Sequence, residues 1–287
     1  MILSTEDIFR RISELYEQLE LEKPKAVQRG ARKLFKLLRK VDAAGVDSCE
    51  LYEAGRRVAL LFELTDRPKL GVKAARWAWG LDCDSKNEAE YHYLLGTCYL
   101  QMRGKQKEAA ELLRKAVELE TDRDALVFTY DHAALAYARI GDDARAVEYL
   151  RKLIELVPSP TSFAEKRYRV QMAHIAIAES YWRMRRDNEA ISVLEALLRC
   201  GHLEPGVRSM IHSVRGDIHA YRGEYKEAGE NYRSGIEAPD PDIEHHQLAP
   251  NPLDRDKRVP NLRRLKRDLI CDLRCCERQI RGLSRQP

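Results

Sequence analysis

The sequence predicts an all-α fold, a solenoid of helical hairpins, and three observations carry that prediction. The first is the phrase TYDHAALAYARIGDDARAVEYLRKLIELVPSP, from Thr129 to Pro160, which joins two helical spacings through Gly141 and ends on a proline stop. The second is recurrence. A large residue is followed nine or ten positions later by a small one in Phe62/Gly71, Tyr99/Ala109, Tyr137/Ala146, Tyr181/Ala190 and His219/Ala228, and the small slots step by 38, 37, 44 and 38 residues. A repeated period in that range marks a helical array. The third is composition: 44% hydrophobic and 33% charged residues, with 15 glycines and 11 prolines in 287 residues, suit helices with solvated outer faces.

Within the phrase, Tyr130, Ala133, Ala134 and Tyr137 fall at steps of three and four, so they share one helical face. After Gly141, Ala146, Leu150 and Leu153 follow the same rule, with alanine where the helices cross. Two narrow apolar stripes joined by a short turn must pack on each other.

These residues resemble the tetratricopeptide repeat, a helix-turn-helix unit of 34 residues. Leu95, Gly96 and Tyr99 with Ala109, Leu113 and Ala116 carry the resemblance, as do Ala133, Ala134 and Tyr137 with Ala146, Leu150 and Pro158. Gly216 with Ala228 and Tyr232, and Gly71 with Ala75 and Ala78, are looser copies. The units run three to ten residues longer than the family's, and His92, Tyr130, His174 and His212 stand where its early tryptophan usually does. The resemblance implies a right-handed α-solenoid of about five hairpins over residues 47–240, whose first helices line a concave groove.

Residues 1–46 read as an N-terminal helical hairpin, a degenerate repeat or a cap. Ile8, Ile12, Leu15 and Leu19 share a face behind Ser4, Thr5, Glu6 and Asp7, whose side chains suit the orphan amides of a helix start. Pro24 opens the second helix, Val27, Ala31, Leu34, Leu38 and Val41 form its stripe, and Gly45 closes it. In the first recognisable repeat, Leu51, Val58 and Phe62 face Gly71, Ala75 and Ala78, with Pro68 in the turn. Trp77 and Trp79 lie two apart and cannot share a face, so at least one packs on the next unit.

Ser85 with Glu88, and Ser162 with Glu165, have capping-box spacing; the second predicts a long helix from about residue 162 to 184. The fifth repeat follows Pro205, with Gly216 and Gly223 in the close-approach and turn slots. Residues 241–260, Pro-rich and aperiodic, read as a loop. Leu262, Leu265, Leu269, Leu273, Cys276, Ile280 and Leu283 then mark a basic amphipathic helix over 261–283 that caps the array.

The net charge of +4 hides an asymmetry: residues 255–287 hold 11 Lys and Arg against 4 Asp and Glu, net +7, which leaves −3 for the rest. No apolar run approaches the 18 residues of a membrane span, and no basic segment followed by an apolar one opens the chain. Seven scattered cysteines form no disulfide framework. A protein of the cytoplasm is expected. No Gly-rich phosphate loop, nucleophile elbow or HExxH is present, so no enzyme and no cofactor are expected. Cys271 and Cys275 lie one turn apart but lack a CxxC partner, so no metal is expected either.

The expected function is therefore that of a scaffold or adaptor holding a peptide or helical segment of a partner protein. By register with the family, the groove positions are Arg56, Tyr93, Thr97, Asp131, Leu135 and Arg139, then Ile175, Glu179, Arg183, Ser213 and Asp217. Arg139 and Arg183 are expected to engage an acidic segment. The family's clamp for chaperone C-termini is absent: Tyr93, Thr97, His132, Met172 and Ala176 occupy its register. The alternative is docking of nucleic acid through the basic face of the last helix, Arg263, Arg264, Lys266, Arg267, Arg274 and Arg278, with Arg281 and Arg285 beyond. The stripe from Leu262 to Leu283 also offers a route to self-association.

Overall fold

The computed structural model describes residues 5–20, 23–41, 47–84, 86–157, 164–204, 206–238 and 252–283, and among them it shows thirteen helices and no strand. They fall into two compact units, Met1–Gly141 and Asp142–Pro287.

The first unit holds Thr5–Glu20 (α1), Pro24–Val41 (α2), Ser48–Leu64 (α3), Pro68–Trp79 (α4), Glu88–Leu100 (α5), Gln106–Leu119 (α6) and Arg123–Arg139 (α7). Each helix packs on the next in sequence, and α1, α3, α5 and α7 also touch in succession, so the first helices of the hairpins make one layer. Side-chain caps set the starts. Asp47 accepts from the Cys49 and Glu50 amides at 2.6 and 3.2 Å, and Asp122 from those of Asp124 and Ala125 at 2.7 and 3.0 Å. Asn87 stands next to the first helical residue of α5 and accepts from the Glu90 amide at 2.9 Å, while Ser85, where the sequence places a capping box, lies outside the described residues. Pro68 is the first residue of α4, where its missing N–H leaves no bond unmade.

Small residues hold this unit's helices close. A Cβ on Gly71 would lie 2.7 Å from Cys98 Sγ and 3.2 Å from the Ala59 carbonyl oxygen. Phe62, Val58 and Ala109 of the same unit are fully buried. The two tryptophans diverge as their spacing requires: Trp77 meets Phe35 of α2 edge-on at 5.7 Å, while Trp79 stacks on Tyr91 of α5 at 4.4 Å.

The second unit holds Asp143–Leu156 (α8), Ala164–Arg183 (α9), Asp187–Leu198 (α10), Val207–Tyr221 (α11), Tyr225–Glu237 (α12) and Pro252–Leu283 (α13). Here α9, α11 and α13 touch in succession. The predicted long helix is present as α9, of 20 residues; Ser162 and the Glu165 side chain lie outside the described residues. Helix α13 packs on both α12 and α11, as α11 packs on α10 and α9, so it stands as the first helix of a further hairpin. Leu269 and Cys276 are buried with Ala228 and Tyr232, and Leu265 and Leu273 pack around them. Gly235 admits Leu269, whose Cδ1 would be 3.1 Å from an added Cβ.

The loop expected over 241–260 is corrected at its end. Helix α13 starts at Pro252, because proline suits a first helical position and residues 253–259 include one β-branched residue, Val259. Residues 241–251 lie outside the described residues. Gly104, Gly141 and Gly223 take φ of +77°, +82° and +78° at the turns, where a Cβ would be strained. Asp66 and Arg185 hold the equivalent turns at +57° and +64°.

Candidate functional site

In the first unit, the expected ligand-facing positions divide into three chemistries. Arg56 on α3 is engaged on both sides, to Glu53 of its own helix at 2.6 Å and to Glu90 of α5. Burial works against the Arg56 charge, but the two carboxylates outweigh it and hold the guanidinium protonated. Burial pushes the Glu90 carboxyl up, against the pull of Arg56. The depression that Arg56 and Glu90 line with Tyr52, Tyr91 and Leu94 has a cavity volume of only about 10 Å³. That is far below the ~300–1,000 Å³ of small-molecule sites.

Farther along the layer the surface turns aromatic and apolar. Tyr93 of α5 meets His132 of α7 edge-on at 5.3 Å, and His132 Nδ1 lies 2.9 Å from the Phe128 carbonyl oxygen. Leu135, one turn beyond His132 on the same helix, is 43% exposed. Asp131 is half-buried beside them in sequence. Arg139 ends the helix and donates one N–H to the Leu100 carbonyl oxygen at 2.6 Å. Thr97 is corrected: it is 4% exposed and its hydroxyl donates to the Leu94 carbonyl, so it packs rather than faces a ligand.

In the second unit, Ile175 is corrected likewise, being 3% exposed in the core. Arg183 is exposed at the end of α9 but bound to Asp143 of α8. Glu179 and Asp217 are half-buried on neighbouring helices. Burial pushes the Glu179 carboxyl up, with Arg183 pulling it down and Asp217 adding to the rise. Asp217 is pushed up by burial, although it accepts the Tyr232 hydroxyl at 2.8 Å. Ser213 is half-buried one turn before Asp217.

On α13, Arg267, Arg274, Arg278 and Arg281 are exposed. The side chains of Arg263, Arg264 and Lys266, and the whole of Arg285, lie outside the described residues. Cys271 and Cys275 are exposed and Cys276 is buried. Among the described residues no three His, Cys, Asp or Glu side chains are placed to hold a metal ion, and no helix is long and apolar enough to cross a membrane. One charged face escapes the hairpin reading of the sequence. Helix α2 exposes Lys25, Arg29, Arg32, Lys33, Lys36, Arg39 and Lys40 and has no acidic residue; that signal lies in the residue pattern itself.

Three family models described as tetratricopeptide repeat match residues 89–123, 129–159 and 173–208. Between residues 89 and 208 the chain thus carries three segments that match tetratricopeptide repeats. Such repeats serve as protein–protein interaction scaffolds, and that is the general role they indicate here. No curated protein matches the sequence.

Among solved structures, the C-terminal part of a TPR repeat-containing protein from Cytophaga hutchinsonii superposes with a TM-score of 0.55 at 14% identity, covering 97% of this chain and 96% of that one. The apo form of RapI gives 0.57 at 10% identity, covering 95% of this chain and 76% of its own. Nearly identical TPR-like repeats from Podosopora anserina, described as kinesin light chain, give 0.52 at 16% identity, covering 67% and 95%. At these identities the likeness shows the fold alone.

Proposed function

We propose that the chain is an adaptor that holds a peptide or helical segment of another protein against its first-helix layer. The observation that carries this reading is the pairing of Tyr93 and His132 with the exposed Leu135 on α5 and α7. They form an aromatic and apolar stretch between charges already met within the chain. Aromatic anchors of this kind dominate interface energies. Arg139 keeps its remaining N–H donors for a carboxylate, so the ligand is an apolar or aromatic residue flanked by acidic ones.

The test is a displayed peptide library selected against the full chain. Peptides with that pattern should emerge, and each should bind Leu135→Glu and Arg139→Glu at least ~10-fold more weakly, about 1.4 kcal/mol, with Leu135→Glu melting as the parent does and Arg139→Glu losing only its bond to the Leu100 carbonyl, about 1 kcal/mol. Selected peptides that bind both variants as tightly as the parent would end the reading.

A second reading, docking of nucleic acid through α13, rests on the exposed Arg267, Arg274, Arg278 and Arg281. Asp268, Asp272 and Glu277 on the same helix weaken it. Its test is whether Arg274→Gln with Arg278→Gln flattens the salt dependence of nucleic-acid binding.

A further inference from the structure

Helix α2 carries one sign of charge along its entire solvent face. Lys25, Arg29, Arg32, Lys33, Lys36, Arg39 and Lys40 step by 4, 3, 1, 3, 3 and 1, and no Asp or Glu occurs from Pro24 to Val41. At about 100° per residue the seven fall within a ~120° arc, and at 1.5 Å per residue the row is about 22 Å long. All seven are exposed. The opposite face is buried: Val27, Ala31 and Leu38 at 0% and Leu34 at 2%.

None of the seven pairs with a carboxylate among the described residues. Elsewhere in the same unit, Arg10, Arg56, Arg57 and Arg114 are each held by one. Like charges three and four apart on a helix repel, as at Arg29/Lys33, Lys33/Lys36 and Lys36/Lys40. An external polyanion relieves that repulsion.

We infer that the solvent face of α2 is a docking surface for the phosphate backbone of a nucleic-acid duplex. Three features select that ligand. Val27, Ala31, Leu34, Phe35 and Leu38 of α2 are buried, and among its described side chains only Ala26 and Leu37 are apolar and half-buried, too little to enter a bilayer. No aromatic side chain interrupts the exposed row, so unpaired bases find no platform, whereas a duplex keeps its bases stacked inside and its phosphates outermost. Apolar and aromatic anchors of a protein interface are absent from this face, which leaves its lysines and arginines to meet charge alone. A narrow row of cations matches a duplex, which presents one charge per ~1.7 Å of axis. The surface goes beyond the peptide groove and does not depend on it.

The experiment measures binding of the full chain to short labelled duplexes of mixed sequence, one DNA and one RNA, by fluorescence polarisation across a salt series. With about five phosphate contacts, affinity should fall about 500-fold between ~50 and ~200 mM salt. Arg29→Gln/Lys33→Gln/Lys36→Gln should reduce that fall to about 10-fold, while Lys33→Arg/Lys36→Arg keeps it and so separates charge from folding. Equal binding of the two duplexes fits backbone recognition; preference for one names the source. An unchanged salt slope in the triple variant overturns the inference. So does a slope lost only in Arg274→Gln/Arg278→Gln, or binding to anionic vesicles or polyglutamate with none to duplex.

Discussion

Arg183, at the end of α9, grips Asp143, at the start of α8, with Nε at 2.8 Å and Nη2 at 2.7 Å from the same carboxylate oxygen. The Asp143 side chain is 9% exposed, so this contact ties two helices together before any ligand arrives. Arg183→Ala leaves that carboxylate buried without its partner. The expected loss is about 1–3 kcal/mol of stability in urea unfolding. Arg139→Ala removes a bond to the Leu100 carbonyl and is expected to cost about 1 kcal/mol. Equal losses would show that Arg183 is no more structural than Arg139.

Glycine substitutions should rank by what the new Cβ meets. At Gly216 it would lie 2.3 Å from Tyr232 Cε1 and 2.5 Å from Cδ1. That ring cannot swing aside, because its hydroxyl is bound to Asp217 and its body is buried with Leu269 and Cys276. Gly216→Ala is expected to cost about 2–3 kcal/mol. Gly141→Ala meets nothing within 4 Å and costs only the left-handed backbone, about 1 kcal/mol. Thermal melts of the two variants check the order.

The array was legible because its grammar is local. Ala109, Ala146, Ala190 and Ala228, read as crossing points from spacing alone, are all fully buried. The helix starts were legible to within a few residues: capping chemistry at both Ser85 and Asn87 marks the region, and α5 begins at Glu88 with Asn87 before it. Groove residues were less legible. Thr97 and Ile175 sit in register with ligand positions of the repeat family, yet core packing claims both. Long-range pairing is what a single sequence hides: nothing in the spacing announces that Arg56 joins Glu90, 34 residues away. The cationic row of α2 was legible, but a search for apolar periodicity looks at the other side of that helix.

Arg56 links Glu53 on α3 to Glu90 on α5, with its own side chain 24% exposed. Arg56→Met leaves the two carboxylates facing each other without a cation. A loss of about 2–3 kcal/mol is expected, at the low side of a broken buried pair because water reaches both acids. Adding Glu90→Gln to Arg56→Met should restore part of it. A double-mutant cycle in urea measures the coupling, and strict additivity of the two changes would show that the bridge contributes nothing.

Three half-buried or neighbouring acids, Glu179 on α9, Asp217 on α11 and Asp272 on α13, give the second unit a pH dependence of predictable sign. Burial raises all three carboxyls; Asp217 adds to the rise of Glu179, Asp272 to that of Asp217, and Asp268 to that of Asp272. A carboxyl whose folded pKa lies above its unfolded value favours the folded state most below about pH 4, and that contribution is lost as pH rises through the folded pKa. His174 and His212 act oppositely. Burial lowers both, so their contribution is present above about pH 6.5 and is lost as pH falls below it. The two effects mask each other in the parent chain, and a substitution separates them. Asp217→Asn cannot ionise but can still accept the Tyr232 hydroxyl. It should be more stable than the parent at pH 7, and the difference should shrink steadily as urea melts are taken down towards about pH 4. A difference that stayed constant across that range would mean that Asp217 does not ionise against its neighbours, and that α13 docks on α11 without electrostatic cost.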